Sequence, residues 1–574
     1  MVKGAKRKQI NAMGELKMKK LSTIALILAI ILTLVSCGQS VMEIKNTTAR
    51  PAGQTKTDNQ ATKAERTIGE EEVGLVNEPD MIPALDMPYY PEPQWNTEEY
   101  QDFTENRIIN TQEQRFSTFA ADVDTASYAN VRRQILNDRM WPYLDSVRVE
   151  EMVNYFTYDY AYPTGTDPVA ITTEMIDTPW NKNSKLLLVG LKARELDNSG
   201  RKPSNLVFLI DVSGSMDSPD KLQLVKRSFH LLTENLTAED RISIVIYASS
   251  DQIICNGVSG KNKAEIIRYI EDLEAGGATF ASQGISTAYQ LAQENFIPEG
   301  NNRIILATDG DFNIGVTSDG DLKRMVEENR KRGISVTTLG FGSGNLKDSK
   351  LEILADHGNG SYHYIDSILE ARKVLVEEIG STLEIVAKDV KLQLEFNPQQ
   401  VIGYRQIGYE TRQLNREDFA DDTKDGGEMG AGHTVTALYE LYLPGAEEFV
   451  PKVDPGRYGQ TDTDADSASA PHADELLTVN VRYKDPAGET SRLISTPVTE
   501  SVFSDRPSDN MRLAYSVAAF AGILRQSQYF GTYKPNDVVA ELSQLDTKDG
   551  RISELLQLVE AVQDLDPNTL PDEE

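Results

Sequence analysis

Between residues 205 and 381, strand-like and helix-like stretches alternate, and this pattern constrains the fold more than any other feature of the chain. Strands are expected at 206–210, 241–248, 304–307, 336–341 and 362–365. Helices are expected at 222–236, 264–273, 282–296, 322–331 and 368–379. In the first of these, Leu222, Val225, Phe229 and Leu232 recur at three- and four-residue steps, as on a helix with one buried face. Gly333 is placed to end the fourth. Strands that alternate with helices predict a doubly wound, mostly parallel sheet with helices on both faces, an α/β domain over 203–383. Such a sheet places ligands at the carboxyl ends of its strands.

The flanks read differently. Residues 99–198 read as a small N-terminal α+β module, with a strand entering a turn at 115–124, helices at 127–137 and 146–155, and a buried strand at 186–191. Residues 384–570 read as a β-rich C-terminal module with strands at 390–396, 435–443 and 477–483, closed by helices at 510–526 and 552–562. A polar stretch runs from 454 to 474. Its aspartates Asp462, Asp464 and Asp466 echo a calcium loop, but Ser467 stands where such loops need Gly and Ala473 where they need Glu, so it reads as an acidic loop.

The N-terminus reads as an export address. Lys17, Lys19 and Lys20 precede an apolar stretch from 21 to 35, shorter than the roughly 20 residues of a spanning helix and suited to a signal core over 1–36. The stretch ends in Leu34-Val35-Ser36-Cys37, which resembles the lipobox of bacterial lipoproteins. That resemblance implies lipidation of Cys37 and attachment to the bacterial membrane, at the cell surface or on the periplasmic face. Residues 37–98 are polar and read as a disordered tether. Cys255 is the only other cysteine, and reads as a small buried hydrophobe. The net charge is −31, from 89 acidic and 58 basic residues, which opposes nucleic acid as a partner.

Three loops of the α/β domain carry chemistry. Asp211, Ser213 and Ser215 alternate where the first strand ends, with Gly214 between the hydroxyls, expected to permit the angles that bring both to one side. A carboxylate and two hydroxyls form a hard-oxygen set, suited to magnesium or calcium and poor for zinc. Thr279 follows a Gly276-Gly277 pair ahead of a helix, and Asp309 follows the strand at 304–307. As isolated motifs, these residues would cap helices and turns equally well.

Asp-x-Ser-x-Ser, a later threonine loop and an aspartate after a strand together resemble the metal-ion-dependent adhesion site of von Willebrand factor A domains. The resemblance implies Ser213 and Ser215 as direct ligands, Thr279 as direct or water-bridged, and Asp211 and Asp309 acting through water and hydrogen bonds. It implies a divalent cation, magnesium foremost with calcium or manganese as alternatives, and a protein partner presenting Asp or Glu to it. Phe280 is bulkier than the residue often found beside that threonine. Stretches 116–133, 148–156 and 307–315 extend the likeness to the YfbK-like von Willebrand factor A lipoproteins of bacteria.

Two other readings compete with a binding protein. A hydrolase would need a base beside Ser213 or Ser215. None of His230, His357, His363, His433 and His472 lies in the three loops, and neither Gly-x-Ser-x-Gly nor a phosphate-binding loop is present. A metal-assisted hydrolase would need more carboxylates than the site offers. The third reading is a structural envelope protein whose loops the metal stabilises. The expectation is therefore a non-enzyme.

Overall fold

The chain threads three sheets, and the order in which it does so decides which residues meet. The computed structural model describes residues 97–568 except 122–123, 196–201, 279–280, 311–318, 379–383, 425, 454–471 and 487. Cys37, the expected signal segment and nearly all of the tether lie outside the described residues, as does the 454–471 part of the acidic loop.

Four strands precede the α/β domain: β1 (Ile109–Asn110), β2 (Phe116–Ala120), β3 (Val169–Asp177) and β4 (Lys185–Ala193). Six form it: β5 (Ser204–Asp211), β6 (Arg241–Tyr247), β7 (Asp251–Ser259), β8 (Asn301–Thr308), β9 (Ile334–Phe341) and β10 (Tyr362–Ile365). Six follow: β11 (Ile385–Phe396), β12 (Gly403–Ile407), β13 (Gly427–Gly430), β14 (Thr434–Tyr442), β15 (Glu475–Lys484) and β16 (Ser491–Thr499).

The middle sheet has the order β10-β9-β8-β5-β6-β7. Its first five members run parallel, and β7 returns antiparallel to β6. Strand β5 serves two cores by alternation. Leu206, Phe208 and Ile210 pack with the helices Leu222–Glu234 and Lys263–Glu271, whereas Val207 and Leu209 pack with Ala281–Glu294, Asp319–Arg330 and Asp348–His357. This is the expected α/β architecture, with β5 and β8 flanking the point where the strand order reverses. Gly333 has φ +82°, as its expected helix-ending place requires.

Three elements of this domain depart from expectation. The edge strand β7 is half-exposed and lacks a continuous apolar run. The helix Asp348–His357 was not foreseen. The stretch expected as one helix over 368–379 is an α-helix at Ile368–Arg372 followed by a π-turn at Lys373–Glu377.

The flanking modules interleave. Sheet order β1-β12-β14-β4-β3 takes strands from both sides of the α/β domain, and β4 pairs antiparallel with β14 from Lys185↔Leu441 to Thr434↔Lys192. Likewise β2 pairs with β11, which also pairs with β13 and β15. The separate modules expected at 99–198 and 384–570 are thus one body into which the α/β domain is inserted. Strand β4 explains why its sequence is continuously apolar. Leu186 and Leu188 face a helical core, and Leu187, Val189 and Leu191 face the second sheet. The helical core draws Val131 and Met152 from before the domain, and Phe520 and Leu555 from after it.

Candidate metal centre

The ends of three adjacent parallel strands converge on one carboxylate. Asp211 is the last residue of β5 and is fully buried. Its Oδ2 accepts from the Tyr247 hydroxyl at 3.2 Å and from the Thr308 hydroxyl at 3.0 Å, the last residues of β6 and β8. Its Oδ1 accepts from the Ser213 backbone N–H at 2.9 Å. Burial pushes the Asp211 carboxyl up to about 6, against the pull of the Ser213 hydrogen bonds and with a further push from Asp309.

Past Asp211, a short 3-10 turn over Gly214–Met216 turns the chain away from the sheet. It leaves the Ser213 and Ser215 hydroxyls 3.0 Å apart, Ser213 buried and Ser215 exposed. The two hydroxyls share a side, as expected, but Gly214 achieves this without a left-handed backbone, since it is not among the glycines with positive φ. Its place is instead against the second loop, with its N–H donating to Gly277 O at 3.0 Å.

That second loop lies directly on the first. The Gly276 N–H donates to Val212 O at 2.8 Å, and the Ala278 N–H to the Ser249 hydroxyl at 3.0 Å. Gly277 has φ +86°, and a Cβ there would come within 2.6 Å of Ser249 Oγ, so glycine is required. Thr279 and Phe280, the next residues, lie outside the described residues.

Asp309 follows β8 and is almost wholly buried. Its Oδ2 accepts from Lys221 Nζ at 2.9 Å. The sequence did not single out this lysine, because a charge just ahead of an amphipathic helix reads as solvated surface. Here its side chain is 11% exposed. Its stem runs over Gly342, where a Cβ would come within 2.4 Å of the lysine Cγ. So Asp211, Ser213, Ser215 and Asp309 belong to loops meeting at one edge of the sheet, with Lys221 among them.

The donor chemistry fits a hard divalent cation: two hydroxyls, one carboxylate fixed by three hydrogen bonds, and a second carboxylate bearing an ammonium. Elsewhere, Asp124, Glu151 and Glu352 bring carboxylate oxygens within 4.8 Å of one another. That group already holds two guanidinium ions. Arg412 lies 2.8 Å from Asp124 and 3.1 Å from Glu352, and Arg148 pairs with Glu151 and, at 2.6 Å, with Asp348.

Cys255 is buried opposite Ile244, and burial pushes its thiol up to about 11. His363 is tied to the Thr125 and Ser361 hydroxyls. Among the described residues no helix is long and apolar enough to cross a membrane.

Sequence comparison finds three family matches along the chain. A profile of the von Willebrand factor type A domain matches residues 205–376. A profile of the C-terminal part of the uncharacterized protein YfbK matches 381–565, and a von Willebrand factor profile matches 94–188. The uncharacterized protein YfbK of Escherichia coli is 40% identical over 473 residues, 81% of each chain. The uncharacterized protein sll0103 of Synechocystis sp. is 26% identical over 366 residues, 62% of this chain and 80% of that one. Among solved structures, a von Willebrand factor type A protein from Catenulispora acidiphila aligns with a TM-score of 0.38 at 17% identity, over 71% of this chain and 89% of that one. Likeness at this level of identity and coverage to YfbK places the molecule: it belongs to the YfbK-like family of proteins built around a von Willebrand factor type A domain.

Proposed function

We propose that this chain is an exported, lipid-anchored envelope protein that binds protein ligands through a divalent cation held by Asp211, Ser213, Ser215, Thr279 and Asp309. The observation that carries this reading is the placement of Asp211 at the point of strand reversal, with two hydroxyls 3.0 Å apart beside it. When bound, a magnesium ion supplies a Lewis-acidic position that an Asp or Glu carboxylate from a partner can fill.

The chain's own groups do the rest. Tyr247 and Thr308 fix the Asp211 carboxylate, leaving little freedom to reorganise. Ser213 and Ser215 offer neutral oxygens, which themselves cancel none of a cation's charge. The exposed Ser215 marks the side open to solvent. Membrane attachment through Cys37 rests on the lipobox alone.

The arrangement favours a binder over the two alternatives. The serine hydroxyls bond to each other rather than to an imidazole. The loops are joined by backbone hydrogen bonds at 2.8 and 3.0 Å that need no ion, which speaks against a purely structural metal. Titration calorimetry of magnesium into the soluble chain beginning after Cys37 tests the reading. Uptake by the wild type and its loss in a folded Asp211→Ala, Ser213→Ala double variant is the expected result. Equal uptake by both chains, or none by either, would discard it.

A further inference from the structure

We propose that Lys221 is a built-in countercharge that withholds Asp309 from the cation, setting the metal affinity of the site low and leaving the ion more demanding of a carboxylate from outside. This deepens the reading above and rests on it.

Three observations carry the inference. First, the Lys221 ammonium lies 2.9 Å from Asp309 Oδ2, with side-chain exposures of 11% and 0%. A buried pair of this kind is not a fluctuating surface contact, because a lone buried charge on either side would be costly. Second, the lysine is held in place. Its backbone N–H donates to Ser218 O at 3.2 Å and its carbonyl accepts from Val225 N–H at 2.9 Å, anchoring it at the start of the helix Leu222–Glu234. The stem crosses Gly342, whose φ of +72° and missing Cβ open the channel it occupies. Third, the other carboxylate is engaged as well. Both oxygens of Asp211 accept hydrogen bonds from Ser213, Tyr247 and Thr308.

The electrostatic consequence follows from counting formal charges. Asp211 and Asp309 together carry two negative charges, enough to neutralise a divalent ion. With the Lys221 ammonium paired to Asp309, the net charge of the three side chains is minus one. The cation would then keep about one unit of charge that the chain does not cancel. An ammonium this close also opposes entry of a cation directly. Lys221 thus weakens the hold of the protein on metal and strengthens the demand for an anionic partner. It acts through Asp309 and is a positioning residue rather than a ligand.

The test is magnesium alone, titrated calorimetrically into the chain beginning after Cys37 as wild type, Lys221→Met and Lys221→Arg, with thermal melts of each at zero and saturating magnesium. Methionine keeps much of the stem over Gly342 and removes the charge. Lys221→Met is expected to bind magnesium roughly tenfold more tightly, about 1.4 kcal/mol by the usual conversion. Its melting temperature should rise more on adding magnesium than that of the wild type, because the cation then supplies the positive charge that Asp309 has lost with the ammonium. Lys221→Arg should keep wild-type affinity. Equal or weaker binding by folded Lys221→Met, beside clear wild-type uptake, would overturn this inference and leave the metal site standing. No wild-type uptake would overturn both.

Discussion

At the scale of single residues, the site is defined as much by missing side chains as by present ones. Gly277 and Gly342 leave room for Ser249 and Lys221, and Gly310 does the same for a third loop. Gly310 has φ +104°, and a Cβ there would come within 2.4 Å of Lys347 N and 2.7 Å of Leu346 Cα. Backbone atoms cannot swing aside as a flexible side chain can. Gly310→Ala is therefore expected to lower stability by about 1–3 kcal/mol, through both strain and displacement of the loop bearing Asp309. Urea unfolding checks this through a lowered midpoint at unchanged slope. A midpoint within error of the wild type would show that the loop yields without cost.

At the scale of elements, buried ion pairs join the inserted domain to its host. Arg132, on the helix Ala126–Leu136, lies 2.5 Å from Asp366 and 2.8 Å from Glu370 of the inserted domain, and 2.7 Å from Glu554 of a C-terminal helix. A second junction centres on the helix Asp348–His357, where Glu352 faces Arg148, Arg412, Glu151 and Asp356. Burial pushes the Glu352 carboxyl up, to about 8 from the usual 4.5, against the pull of the two arginines. Its Oε2 has no hydrogen-bond partner among the described residues. The folded chain then holds a proton there that the unfolded chain has released. That contribution to stability is complete below about 4.5 and is lost as pH rises through about 8. Stability should fall across this window by an amount on the order of 4–5 kcal/mol from this group, about 1.4 kcal/mol for each pH unit between 4.5 and about 8. Glu352→Gln should flatten the decline, and urea midpoints measured from pH 5 to 8 would show it. An unchanged slope in the variant would assign the decline to other groups.

At the scale of the whole molecule, the chain before the inserted domain is not a self-sufficient unit. Strand β4 finds its neighbour β14 some 250 residues later, and β2 finds β11 after a similar interval. The two apolar faces of β4 therefore have no complete core until the C-terminal segment arrives. A fragment of residues 97–198 is expected to remain unfolded alone, and to regain β-structure and co-elute when a fragment of residues 384–568 is added. Circular dichroism and size-exclusion chromatography read the two results. A folded 97–198 fragment by itself would contradict the interleaved architecture. The same topology sets the last elements of the inserted domain against their host, where the buried Arg132 pairs with Asp366 and Glu370 and the partly exposed Arg551 pairs with Glu377 at 2.8 Å.

The sequence by itself determined the inserted domain and the identities at its loop edge. Parallel strands with crossover helices write a local signal, in apolar runs and three- and four-residue steps. Asp211, Ser213, Ser215 and Asp309 stand at strand ends that this signal locates, and the structure brings their loops together. The left-handed backbone of the site lies at Gly277 and Gly310 and not at Gly214, because φ is not legible from residue type alone. Tertiary structure decided what depends on distant partners. The edge strand β7 and the pairings of β2 and β4 leave no periodic trace of their neighbours, since strand pairing is made by backbone groups that every residue has. Lys221 belongs to the same class: its meeting with Asp309, 88 positions away, depends on which strands lie side by side, and only the folded sheet fixes that.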